Sequence, residues 1–310
     1  MVNKKIIVVG SYIEALVMDT PRLPVKGETI MGKNFRRTWG GKGSNQAVQA
    51  ARLGAATSFV SMVGNDAFGE NFLQLMKSEG VNDEFVFRHP GLPTASGFII
   101  CTNDGHNVIT IDIAALNGLG KEEMDQGLTR ADADTVVLVQ LEIPLKTALY
   151  ACDLAKSRGA TVILNPAPAA NLSAFNLSSV DYITPNEIEA RICIGLDPDY
   201  GGSHAEVAGK ILETGCRNII LTLGGEGSLL VNRQEETLIP AFSLASIVDS
   251  TGAGDAFNAA LATALAEGMN VARAMRFANA AGALACTRAN TIPSFHTRAE
   301  IDHFLTNSKS

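Results

Sequence analysis

The 310-residue chain has little that could fix a metal centre or a disulfide. Its five cysteines (Cys101, Cys152, Cys193, Cys216 and Cys286) are scattered without a C-x-x-C pair, and its five histidines show no H-E-x-x-H spacing. A zinc site is therefore not expected, and the thiols read as buried or idle groups in a reducing compartment. No run of 18 or more apolar residues occurs, so no membrane span is expected. The apolar start I-I-V-V is cut short by Gly10, Ser11 and Glu14, too early for an export signal, and the expectation is a cytoplasmic protein. A basic surplus is missing too: the formal charge of -7 argues against a nucleic-acid partner. Also absent is G-x-x-x-x-G-K-[ST], because no Gly-Lys pair is followed by Ser or Thr. G-K-G-S-N-Q (41–46) begins like a dinucleotide fingerprint, but Gln46 stands where the third glycine belongs.

What the chain does have is a repeated alternation. Continuous apolar, β-rich runs at 4–10, 57–63, 135–139, 161–165, 180–184 and 218–224 fit strands buried on both faces. Helical patterns lie between them at 44–53, 68–79, 144–158, 187–193 and 204–214, followed by a mostly helical C-terminal third at 253–267, 271–287 and 297–306. Strand–helix alternation of this kind predicts α/β architecture, with a parallel sheet covered by helices. Residues 12–38 and 95–112 break the rhythm with short strand-like runs and no helices. Two such insertions can pair into one small β-sheet, a natural lid over a cleft whose edge can also pair with a second subunit.

Two glycine clusters concentrate the candidate chemistry. D-S-T-G-A-G-D-A-F (249–257) places Gly252, Ala253 and Gly254 at the start of a helix, where free amides and the helix dipole favour an anion. Asp255 then falls in the first helical turn. It is either an ordinary first-turn acid or, beside a phosphoryl group, a base for an attacking hydroxyl. W-G-G-K-G-S-N-Q-A (39–47) precedes another helix. It reads as a turn with a cap, or as a loop whose glycines admit a ligand while Lys42 and Asn45 supply donors to hydroxyls.

Together the two clusters resemble the paired signatures of the ribokinase-like carbohydrate kinases, the PfkB family, and the ribokinase branch matches best. Collinear motifs extend the resemblance over nearly the whole chain: V-K-G-E-T (25–29), V-G-N-D-A-F-G (63–69), Q-L-E-I-P (140–144), N-P-A-P (165–168), T-P-N-E-I-E (184–189), T-L-G-G-E-G (222–227) and R-F-A-N-A-A (276–281). The resemblance implies a single three-layer α/β/α domain over 1–310, a β-sheet lid, and transfer of phosphate from ATP to the primary hydroxyl of a small sugar such as ribose or a related pentose or deoxy sugar. It makes Asp255 the base and the amides of Gly252, Ala253 and Gly254 the cradle of the transferring phosphoryl. Gly41, Lys42, Gly43, Asn45 and Glu142 fall at sugar-binding positions. Thr222, Gly224, Gly225, Gly227, Gly254 and Asn279, with Asn186, fall along the nucleotide groove. Asn186 and Glu189 match an N-x-x-E pattern acting on Mg²⁺ through water. Asp249, Thr251, Ala285, Arg288, Asn290 and Ser294 match a monovalent-cation (K⁺) site, with Asn290 where the family often has glycine. A homodimer through the lid sheet is the expected assembly.

The sugar end departs from the family pattern. After the first strand ribokinases read G-S-x-N-x-D, whose Asn and Asp grip sugar hydroxyls, whereas this chain reads G-S-Y-I-E-A. Ile13 and Ala15 share one face of an extended segment, and Glu14 points away. An acceptor hydroxyl left there without a partner would cost about 1–3 kcal/mol. The expectation is an acceptor other than plain ribose, or one read differently through Tyr12 or Asp112. A nucleoside kinase and a non-catalytic sugar-sensing protein stay open as alternatives.

Overall fold

A computed structural model describes residues 5–103 and 106–308. Lys4 of the first expected strand, and residues 104–105 within the second insertion, lie outside the described residues. The strands are β1 (Lys5–Val9), β2 (Ile13–Thr20), β3 (Lys33–Gly40), β4 (Ala56–Gly64), β5 (Asn82–His89), β6 (Ser96–Thr102), β7 (Asn107–Asp112), β8 (Thr135–Gln140), β9 (Thr161–Asn165), β10 (Tyr182–Ile183), β11 (Asn218–Thr222), β12 (Gly227–Asn232) and β13 (Glu236–Pro240). The helices are α1 (Lys42–Arg52), α2 (Ala67–Ser78), α3 (Lys121–Gly127), α4 (Leu145–Ser157), α5 (Glu187–Cys193), α6 (His204–Glu213), α7 (Ala253–Ala266), α8 (Val271–Ala285) and α9 (Arg298–Asn307).

Nine strands form one sheet in the order β13-β12-β11-β10-β9-β8-β1-β4-β5. It is parallel from β11 through to β5, and β12 and β13 return antiparallel at one edge. The apolar runs explain the parallel centre: every residue of β8 is buried, so helices must cover both faces. Two apolar clusters lie on opposite faces. One joins α3, α4, α5 and α6 to the sheet, and the other joins α1, α2, α7 and α8. Four elements escape the sequence pattern. β5 is a charged, alternating edge strand, α3 has only seven residues, and β12–β13 form a short hairpin.

The two insertions pair as expected from their strand-like runs. They make a separate four-stranded sheet, β3-β2-β6-β7, in which β2 and β6 run parallel and the two outer pairs are antiparallel. This sheet is thinly covered. Phe35, Phe98 and Ile109 are exposed on it, and β7 is exposed along its length. Among the described residues no helix is long and apolar enough to cross a membrane.

Candidate active site

The carboxyl ends of the parallel strands converge where α7 begins, the usual position for a ligand in an open α/β sheet. α7 starts after Gly252, whose φ of 84° is left-handed; a Cβ there would also press on Thr291 and Phe295. Asp255 sits in the first turn and is 7% exposed. Asn45 donates to its Oδ2 at 2.8 Å and Gln46 to its Oδ1 at 2.9 Å, both from the first turns of α1. Burial pushes the Asp255 pKa up, against the pull of Lys42 and the two amides.

Around Lys42 the charges do not balance. Burial works against its ammonium, but Asp255, Glu142 and Glu189 together raise its pKa. Burial likewise raises the pKa of Glu142 and of Glu189, each opposed by Lys42. One cation facing three carboxylates leaves a negative surplus, which a bound divalent ion would offset. Glu142 follows β8 and accepts the backbone N–H of Lys42 at 2.7 Å and the hydroxyl of Ser11. It thereby ties the start of α1 to the end of β1.

Two cavities meet at this point. The smaller, about 200 Å³, is lined by Lys42, Asn165, Thr184, Asn186, Glu189, Thr222, Gly252, Gly254, Asp255 and Asn258. The larger, about 650 Å³, shares Asn186, Thr222 and Gly254 with it and adds Gly224, Gly225, Gly227, Asn279 and an apolar wall of Phe242, Leu244, Ile247 and Ala283. Gly224, Gly225 and Gly254 have open space where a Cβ would stand, so a ligand can approach their backbone. Gly227 is different. Its φ is 111° and a Cβ would meet the carbonyl of Ile239 at 2.2 Å, so it is glycine for the β12–β13 pairing. Asn279 donates to the carbonyls of Ile239 and Pro240 and so fixes α8 against the same hairpin. A third cavity, about 680 Å³, opens beside Lys5 and Asp132, but these two charges pair with each other at 2.5 Å.

Asn186 caps α5. Its Oδ1 accepts the N–H of Glu189 at 2.8 Å, and Glu189 Oε2 accepts the N–H of Asn186 at 2.9 Å. Each thus has one polar atom engaged at the helix start and one left towards the cavity. Asp249 ties two distant segments together, accepting N–H groups from Thr251 at 2.9 Å and Asn290 at 3.0 Å. Burial opposes its charge, yet these bonds hold its pKa below the ordinary value. Asn290 has φ 69°, the left-handed backbone for which glycine and asparagine are suited. The Arg288 side chain is spent on Glu300 at 2.9 Å and the Ser294 hydroxyl on the Thr291 carbonyl, while the Ala285 carbonyl accepts from Arg288 N at 3.5 Å.

The substrate-side expectations need correction at Tyr12. Its ring is fully buried and stacked on Phe72 at 3.9 Å, and its hydroxyl bonds Glu14, so it is a core residue with no open face for a ligand. Glu14 does point away from Ile13 and Ala15, but its buried carboxylate pairs with the exposed Arg37 guanidinium at 2.5 Å. Gly41 and Gly43 are glycine because residues 10–13 pack against them: a Cβ on either would lie under 3 Å from that backbone. Asp112 is exposed on β7, accepts the N–H of Ala114 at 2.9 Å, and lines neither of the two cavities. Ile13 and Ala15 are both buried, near Gly97 and Gly40 of the small sheet.

Residues 3–298 match the sequence family described as pfkB family carbohydrate kinase. The chain belongs to that family. A ribokinase of Haemophilus influenzae is 35% identical over 98% of this chain and 99% of that protein. A deoxyribokinase of Salmonella typhi is 32% identical over 97% of this chain and 98% of its own length. Among solved structures, Arabidopsis thaliana ribokinase complexed with ribose and ATP superposes with a TM-score of 0.87 at 29% identity, covering 98% of this chain and 99% of that one. Within this pfkB kinase four buried amides near the acid have no role in the sequence reading: Gln46, Gln140 and Asn165 stand inside the motifs, and Asn258 directly follows the anion loop.

Proposed function

We propose that this pfkB kinase transfers the γ-phosphoryl group of ATP to the primary hydroxyl of ribose or a related pentose or deoxypentose. The observation that carries the proposal is the placement of Asp255, buried in the smaller cavity with Lys42 and next to Gly254, which both cavities share. In this reading the nucleotide lies along Gly224 and Gly225 with its base on the apolar wall of Phe242, Leu244 and Ile247. The amides of Gly252 and Gly254 face the transferring phosphoryl, whose peripheral oxygens carry the developing charge, and Ala253 N–H, which donates to the Ser250 carbonyl at 3.2 Å, would have to turn to join them. Asp255 takes the proton of the sugar hydroxyl. Asn186 and Glu189 would hold Mg²⁺ through water, since each already spends one polar atom on the α5 cap. The ion supplies charge neutralisation for the phosphates. Asp249, Thr251 and Asn290, with carbonyls of the 285–294 stretch, form the matching K⁺ site behind the loop.

On the acceptor side, Asn45 Oδ1 is buried with no partner and awaits a hydroxyl donor, while Ile13 and Ala15 offer none. A sugar lacking one secondary hydroxyl fits that wall best, and the deoxyribokinase relative supports this choice. The exposed apolar residues of the small sheet favour a homodimer built across it, with light scattering as the check. ATP use and five free thiols fit work in the cytoplasm. The chemistry is tested by the position of the phosphate in the product. Phosphorus–proton coupling to the primary CH₂ is expected, and coupling to the anomeric proton overturns the assignment of the accepting hydroxyl.

A further inference from the structure

Behind Asp255 lies a chain of buried amides that none of the substrate positions accounts for. Gln46 Nε2 donates to Asp255 Oδ1 at 2.9 Å and to Asn165 Oδ1 at 3.1 Å. Its Oε1 accepts from Gln140 Nε2 at 2.5 Å. Gln46 and Gln140 are both 0% exposed, so water does not compete for these bonds. The direction of the chain is chemically forced. A carboxylate only accepts, so Gln46 must turn its NH₂ to Asp255, and Asn165 turns its oxygen to Gln46 because its own NH₂ donates to the Thr184 carbonyl at 3.2 Å. Gln140 in turn must offer its NH₂ to the Gln46 oxygen. Its Oε1 is left buried without a partner, in the space a Cβ on Gly10 would fill at 2.0 Å. An unpaired buried acceptor is costly, and it is tolerated here at the far end of a chain that terminates on the reacting carboxylate.

We propose that Gln46 and Gln140 are positioning residues for Asp255, Gln140 locking the Gln46 amide so that it presents N–H and never oxygen to the carboxylate. A reversed Gln46 amide would set oxygen against Asp255 Oδ1 and NH₂ against the NH₂ of Gln140. Both contacts would be repulsive, so the lock acts through Gln46 alone. Asn45 holds Oδ2, and with Gln46 on Oδ1 the plane of the carboxylate is fixed before the sugar arrives. The charged groups facing Asp255 from the neighbouring elements are Lys42, Glu142 and Glu189, and none of them bonds its oxygens directly. The inference rests on Asp255 being the base.

The test is a double-mutant cycle on kcat with Gln46→Met, Gln140→Met and both together, measured beside Asp255→Asn. Gln46→Met is expected to lose about 10- to 100-fold in kcat, with KM for ATP changed less than about twofold. Gln140→Met is expected to lose about 3- to 10-fold, and the double variant to match Gln46→Met within about twofold. Independent contributions of the two amides would instead give losses that multiply. Multiplying losses, or a Gln46→Met kcat within about twofold of the unchanged protein, overturns the proposal. Should Gln46→Met fail to fold, Gln140→Met decides: it removes the donor to Gln46 Oε1, so kcat falls about 3- to 10-fold with KM for ATP changed less than about twofold, and an unchanged kcat overturns the lock. Activity surviving in Asp255→Asn overturns the base assignment itself, whereas a dead Asp255→Asn with an unimpaired Gln46→Met overturns only the amide chain.

Discussion

Asn45 donates its amide N–H to Asp255 Oδ2 across 2.8 Å while its own Oδ1 stays buried and unpartnered. One side chain from α1 thus orients the acid on α7 and holds out an acceptor beside it. Residues 210 positions apart are joined by this single bond, which makes the sugar end and the phosphate end of the site one unit.

Replacing Asp255 with Asn is expected to lower kcat by roughly 10³-fold or more, in line with loss of a general base. ATP affinity by titration calorimetry is expected to stay within about threefold, since no nucleotide-groove residue is touched. Asn45→Ala is expected to raise KM for the sugar about tenfold, one lost hydrogen bond, with a smaller loss in kcat.

The pH profile follows from burial. A raised pKa means that Asp255 keeps its proton to higher pH than the ordinary aspartate value of 3.8. The base works only when deprotonated, so kcat/KM rises with pH on an acidic limb that lies above that value. Lys42→Met removes the nearby charge that favours the carboxylate, and the limb should move further up. A shift downwards would contradict the electrostatic account of the site.

The apolar wall of Ile13 and Ala15 is expected to choose the acceptor. The double substitution Ile13→Asn with Ala15→Asp restores two partners for sugar hydroxyls. It should raise kcat/KM for ribose relative to 2-deoxyribose by about tenfold or more. An unchanged ratio in a competition assay would place the selecting contact elsewhere.

These expectations show where sequence reading succeeds and where it stops. The buried strands and the amphipathic helices carry their own periodicity, so β1, β4, β8, β9, β10 and β11 and every helix but α3 are legible one by one. β5 and β13 lie at the two edges of the large sheet, where charge breaks the pattern, and β12 is a six-residue strand paired to β13 in a short hairpin. Asp255 and the glycines at 252 and 254 are readable because a local loop makes the anion site. Tyr12 belongs to the core through Phe72, 60 residues away, and nothing local in the sequence marks the stacking. Gln46, Gln140 and Asn165 could not be assigned, since which buried amide meets which acid is decided by the packing of α1, β8 and β9 against α7.

The cation site behind the loop gives a separate prediction. Asp249→Ala frees the N–H groups of Thr251 and Asn290 that its two oxygens now hold. Activity of the unchanged enzyme is expected to rise several-fold on replacing Na⁺ with K⁺, and Asp249→Ala to lose that response. Equal activity in the two salts would remove the monovalent-ion role from this carboxylate.

The account as a whole is tested most directly by ADP release from Mg·ATP across pentoses, deoxypentoses, hexoses and nucleosides. It predicts pentose-dependent release that is highest with a deoxypentose and absent in Asp255→Asn. Release with no sugar, or equal release with Asp255→Asn, would contradict it.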